Sequence, residues 1–242
     1  MKLIAYGGAE TKYTKGSTRD ALILATNTEF IDGTRLDVYI TKDNYLVATT
    51  ENGFQRSGLT KETLENTNYE TIIRHNIGTT VKFQGIIPVS EAMKIFNNKN
   101  KILLLNIIEH DNKNSVLVDN IKDITKVFLN VNLYLESDND EVIEYLLSSN
   151  INAKNGKIIK NRTINNYNLD FYSFDKDNID VNLINNLYRN GKQIIITNIN
   201  TGNELINIYN QFPNIFENIY IETSNPTVIS ATYILQIKKN NV

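Results

Sequence analysis

Several stretches of this chain carry side chains whose types and spacing could do chemistry. Near the start, LIAYGGAETKYTKGST runs from a short apolar strand through Gly7-Gly8 into a polar loop and the beginning of a helix. Such an arrangement can hold a phosphate, because the free N–H groups at a helix start attract anions. Further on, Arg35-Leu36-Asp37 places a guanidinium and a carboxylate two residues apart on a strand, and therefore on one face of it. Pairing of Arg35 with Asp37 is the favoured reading, with anion recognition by Arg35 the alternative. Glu109 and His110 close another apolar run and could exchange protons with a substrate. Tyr6, Arg35, Asp37, Glu109 and His110 can converge if their strands end at one rim. His75 and His110 are the only histidines, and His75 sits in a polar segment that reads as surface. No G-x-G-x-x-G and no P-loop lysine–serine pair accompanies Gly7-Gly8, so a tight turn explains those glycines better than a nucleotide fingerprint.

The elements that must position these residues follow from hydrophobic periodicity. Strands are expected at residues 2–6, 33–40, 102–109, 128–136, 157–160, 170–174, 193–198 and 219–223. Helical spacing falls between them at 18–26, 90–96, 116–127, 140–147, 181–188 and 204–211. The runs KILLLNII and GKQIIITN are almost continuously apolar, as in strands buried on both faces of a parallel sheet. Strands alternating with helices imply βαβ units, and eight strands over this length fit an α/β fold of the (β/α)8 TIM-barrel type. A doubly wound open sheet is the structural alternative. Residues 51–86 break the rhythm and read as an insertion on a single barrel domain spanning 1–242.

Composition removes several function classes. Of 242 residues, 25 are Lys or Arg and 27 are Asp or Glu, so the net charge of -2 argues against an electrostatic nucleic-acid binder. The absence of Cys removes disulfides, thiol nucleophiles and thiolate-bound zinc. No apolar run is long enough for a transmembrane helix, and MKLIAYGGAE is too short in its apolar part for a signal peptide. A soluble, cytoplasmic protein is expected. The abundance of Asn after residue 95 reads as host nucleotide bias rather than a functional tract.

In a TIM barrel, functional groups lie at the C-terminal ends of the strands. Taken in order those ends read IAYGGAE, KGSTRDAL, IDGTRLDVYITKDNYLVATTEN, IIPVSEAM, LLLNIIEH and finally IYIETSNP. This succession resembles the glycerophosphodiester phosphodiesterase family almost end to end, with DVYITKDNYLV its most specific piece. The resemblance implies hydrolysis of glycerophosphodiesters or related lipid-derived diesters, with a carboxylate-bound divalent cation and two histidines as general acid and base. The family's H-R-G phrase reads Tyr6-Gly7-Gly8 here, and its E-N-T phrase matches Gly16-Ser17-Thr18 best. Its E-x-D phrase reads Arg35-Leu36-Asp37, and the second histidine's H-D phrase falls at Thr50-Glu51. The later E-x-K phrase fits three registers, beginning at Asn106, Ile108 or Glu109, and none restores both its residues.

Each general acid or base contributes roughly 10²–10⁴ in rate, so losing either histidine is severe. Arg35 would also set a positive charge where the cation belongs. The resemblance therefore implies a pseudoenzyme. No catalytic residue and no cofactor or metal is expected; the acid and base positions fall at Tyr6 and Thr50, and Asp37 is the one clearly retained metal-ligand position. Tyr6, Arg35, Asp37, Glu109 and His110 remain candidates for binding a small anionic phosphate-bearing ligand, and a protein partner is the other expectation. The alternative is a diverged, active phosphoric diester hydrolase, which would need Mg²⁺ or Ca²⁺.

Overall fold

The structure, a computed structural model, describes residues 1–160 and 168–238. Its ten strands are β1 (Lys2–Tyr6), β2 (Gly33–Ile40), β3 (Leu46–Thr49), β4 (Ile87–Pro88), β5 (Ile102–Ile107), β6 (Asn132–Ser137), β7 (Lys154–Ile159), β8 (Phe171–Asp175), β9 (Gln193–Thr197) and β10 (Tyr220–Thr223). β1, β2 and β5 to β10 run parallel, each to the next, and β1 pairs with both β10 and β2. That double pairing closes the sheet, so the fold is a (β/α)8 barrel and not an open doubly wound sheet. The connecting helices include Arg19–Asn27, Val89–Phe96, Asn114–Thr125, Asp140–Ser148, Val181–Arg189 and Gly202–Gln211. Their buried faces, with Leu22, Met93, Phe96, Leu117, Ile121, Ile143, Leu146, Ile184, Leu205 and Ile208, join the outward side chains of the strands in one core. Burying such side chains stabilises by about 1.5–3 kcal/mol each. None of the helices among the described residues is long and apolar enough to cross a membrane.

Period-2 alternation sets the barrel's interior in layers. Ile4, Ile102, Leu104, Tyr134, Phe171 and Ile195 form a compact apolar layer. Two residues further along their strands stand Tyr6, Asn106, Glu136, Ser173 and Thr197, which turn the next layer polar. Two residues back stand Lys2 and Gln193, at the other end of the barrel.

The structure departs from periodicity in definite places. β6 begins at Asn132 rather than 128, because Leu129 is an exposed loop residue despite being apolar. β7 begins at Lys154, three residues early, through the polar start Lys154-Asn155-Gly156. β3 pairs antiparallel with the upper part of β2, and β4 pairs antiparallel with β3. Between them lie the short helices Glu51–Ser57, Lys61–Glu65 and Tyr69–Ile72. Phe54, Leu59, Leu64, Ile72, Ile77 and Ile86 pack with Tyr39 and Val47 into a small core of their own over the side of the mouth.

Candidate functional site

The C-terminal mouth of the barrel carries a layer of charged side chains. Arg35 rises from β2 into the lumen. Its Nε donates to Glu136 Oε1 at 2.8 Å, and its Nη1 donates to Glu222 Oε2 at 2.9 Å. β6 and β10 stand two strands from β2 on either side of it, through β5 and through β1, and closure at β1 is what brings Glu222 within reach. Ser173 donates its hydroxyl to the second oxygen of Glu136. Asp37, two residues beyond Arg35, is held separately: the Tyr6 hydroxyl donates to Oδ2 at 2.6 Å and the Asn106 amide to Oδ1 at 2.7 Å. Arg35 and Asp37 thus have different direct partners, although the attraction between them persists through space. The guanidinium lies 5.6 Å from the Tyr6 ring centroid, completing the layer.

Burial decides the protonation states. Glu136 and Glu222 are almost fully buried, which pushes both carboxyls above their ordinary range, while Arg35 pulls them back. Burial by itself would lower the Arg35 value, but Glu136, Glu222 and Asp37 outweigh it and keep the guanidinium charged. Burial also pushes the Tyr6 phenol far up, and the neighbouring Asp37 charge pushes it further. Tyr6 therefore keeps its proton and serves as a donor; it has no capacity to act as a base near neutral pH.

A divalent cation does not fit this arrangement. The space between Glu136 and Glu222 is spanned by the Arg35 guanidinium, and both oxygens of Asp37 already accept strong hydrogen bonds. An entering cation would meet Arg35 at close range with no displaced charge to replace. The position that the resemblance assigns to the second histidine, Thr50, has a structural task. Its hydroxyl pairs with that of Ser17 at 2.6 Å and caps the helix Glu51–Ser57.

Glu109 and His110 are not brought to this cluster. Glu109 takes a hydrogen bond from the Asn139 amide, and His110 Nδ1 accepts from the Asn112 N–H at 3.3 Å within its own turn. The Gly7-Gly8 turn is a packing device. Both glycines have positive φ, 76° and 89°, and a Cβ on Gly8 would lie 2.8 Å from the Ala21 backbone. Sequence reasoning missed Glu136, Ser173 and Glu222. The available signal was a carboxylate at an inward position of an otherwise apolar strand, as in LYLES and IYIET.

Beside the cluster is a cavity of about 500 Å³, lined among others by Arg35, Asn106, Asp138, Lys160, Asp175 and Asn198. Lys160 pairs with Asp138, and the Asn198 amide donates to Asp175. Asn106 Oδ1 faces no donor, because the amide nitrogen is committed to Asp37.

No sequence family and no curated protein matches this chain. Solved structures do. An Oleispira antarctica phosphodiesterase, solved with its product sn-glycerol-3-phosphate, superposes with a TM-score of 0.80 at 15% identity, covering 97% of each chain. A glycerophosphodiester phosphodiesterase from Parabacteroides distasonis gives 0.80 at 13% identity, over 99% of this chain and 98% of its own. One from Thermotoga maritima gives 0.70 at 17% identity, over 95% and 96%. The fold expected from the resemblance is therefore the fold observed.

Proposed function

We propose that this chain, which has the fold of the glycerophosphodiester phosphodiesterases, is a catalytically silent barrel of that type, formed by one domain over residues 1–242 with 51–86 inserted on it. The observation that carries the reading is Arg35 held between Glu136 and Glu222. Phosphodiester hydrolysis needs charge neutralisation at the phosphate and proton transfer in both directions. In this mouth the strongest cation is already neutralised, the phenol of Tyr6 stays protonated, and Thr50 is a helix cap. Among the described residues no histidine joins the Arg35 cluster, and neither Tyr6 nor Thr50 replaces the acid and base that the resemblance calls for.

The cavity beside Arg35 supports a retained small-ligand site. Lys160, Asn178 and Asn198 line it and could meet a phosphate-bearing ligand, the class held by the Oleispira relative. A protein-binding role is a second reading, favoured by Val81 and Phe83 on the insertion, whose exposures are 91% and 60%.

Phosphorus NMR of mixed glycerophosphodiesters with the purified protein and Mg²⁺ or Ca²⁺ tests the proposal. The expected result is no phosphomonoester. Chelator-sensitive phosphomonoester signals would overturn it in favour of a diverged hydrolase. Selective broadening of one diester without conversion would identify the retained ligand.

A further inference from the structure

The opposite end of the barrel holds a larger cavity, about 790 Å³, between the starts of β1, β7, β9 and β10 and the end of the helix Val181–Arg189. It is the lumen's own basal opening. Lys2 lies two residues before Ile4, Gln193 two before Ile195, and Tyr220 two before Glu222, all at inward positions of their strands.

Four cations line this opening: Lys2, Lys154, Arg189 and Lys192. Elsewhere in the molecule Arg19, Arg35, Lys82, Lys157 and Lys176 each hold a carboxylate. Among the described residues these four hold none. Lys154 donates to the Tyr134 hydroxyl at 3.1 Å, Lys192 to the Asn168 amide oxygen at 2.9 Å, and Lys2 stands 5.2 Å from the Tyr220 ring centroid. Of the two acidic residues on the rim, Glu217 is neutralised by the N-terminal ammonium and Asp170 alone stands against the four cations. Asp170 accepts from the Asn155 N–H at 2.8 Å, and Glu217 takes the N-terminal ammonium at 2.7 Å together with the Tyr233 hydroxyl.

An independent feature points the same way. The Lys154 ammonium donates to the Tyr134 oxygen, and the Tyr134 hydrogen goes to Gln193 Oε1 at 3.2 Å. This relay orients the Gln193 amide and leaves its buried Nε2, beside the Tyr220 hydroxyl, without a well-formed hydrogen bond. A buried donor without an acceptor costs about 1–3 kcal/mol until a ligand or water supplies one. An excess of unpaired positive charge and an unmet N–H donor in one concave site call for an acceptor-rich anion.

We propose that the basal opening binds a compact multivalent anion of the diphosphate type, seated among Lys2, Lys154, Arg189 and Lys192 with an oxygen accepting from Gln193 Nε2. More than one anionic group is needed because the cations sit on separate elements around the opening. The site lies at the opposite end of the lumen from the Arg35 cluster, with the apolar layer of Ile4, Leu104, Tyr134, Phe171 and Ile195 between them.

The test is a titration of pyrophosphate into the ¹⁵N-labelled full chain at constant ionic strength, with inorganic phosphate and chloride alongside. Saturable shifts at the Gln193 side-chain amide and at Lys154 and Lys192 are expected, with weaker binding of inorganic phosphate and none of chloride. The double variant Lys154→Gln/Lys192→Gln should weaken pyrophosphate binding by roughly tenfold or more, since charge-assisted hydrogen bonds are lost. Lys154→Arg/Lys192→Arg should retain it. Shifts that never saturate, that match those of chloride, or that persist in the glutamine double variant would overturn the proposal. Should the glutamine variant fail to fold, the wild-type shift map alone decides, because shifts confined to other surfaces also overturn it.

Discussion

Arg35 Nε donates to Glu136 Oε1 inside the barrel lumen at 2.8 Å, a contact between residues 101 positions apart in the chain. The pair lies between the apolar layer below and the mouth above, and Glu222 completes it from β10, two strands from β2 on the other side. Arg35→Ala would leave two buried carboxylates facing each other without their cation. It should destabilise the fold by about 3–5 kcal/mol, the cost of breaking a buried pair from one side. Arg35→Lys should recover only part of this, since one ammonium cannot reproduce the fork that serves both glutamates. Denaturant unfolding of the two variants against wild type measures both effects.

Tyr6→Phe removes the hydroxyl that donates to Asp37 Oδ2 at 2.6 Å while keeping the ring beside Arg35. A buried carboxylate oxygen losing a donor should cost about 1–3 kcal/mol. Thermal unfolding should show the loss, and Asn106→Leu should show a comparable one by freeing the other oxygen. If both variants match wild type, the Asp37 network is not a structural element.

The buried carboxyls also predict a pH dependence. Glu222 has a folded value raised above its ordinary 4.5, first by burial and against the pull of Arg35. The folded state therefore holds that proton where the unfolded chain has released it, so stability from this group is fullest below the ordinary value and declines as pH rises toward the raised one. The stability difference between wild type and Glu222→Gln should shrink as pH rises above the ordinary carboxylate value of 4.5. Urea unfolding at several pH values checks this, and a difference that grows with pH would contradict it.

Glu109→Gln and His110→Ala should leave stability within about 0.5 kcal/mol, because neither residue joins the mouth cluster. They should also leave any ligand binding at the mouth unchanged. A lost function in either variant would restore the strand-end Glu–His pair as a site and weaken the silent-barrel reading.

The barrel itself was legible in the amino-acid order. Alternating apolar runs and helical spacing specify βαβ units, and β1 and β2 coincide with the runs read at 2–6 and 33–40 because their apolar stretches end in turn residues. That Tyr6 and Thr50 stand where the resemblance would place histidines was equally plain, since only His75 and His110 exist to be placed. Periodicity failed where an apolar run is exposed, as at Leu129, and in residues 51–86, whose short helices are held by a local core rather than by a long amphipathic face. What the order of residues could not decide was who meets whom inside the lumen. Arg35 and Asp37 are neighbours on one strand, yet the closed sheet brings Glu136 and Glu222 to Arg35 from strands far along the chain, while Tyr6 and Asn106 take Asp37. Period-2 alternation dictates which residues point inward, but their partners depend on strand stagger and on the diameter of the closed sheet. Those are properties of the whole barrel, and no local stretch contains them.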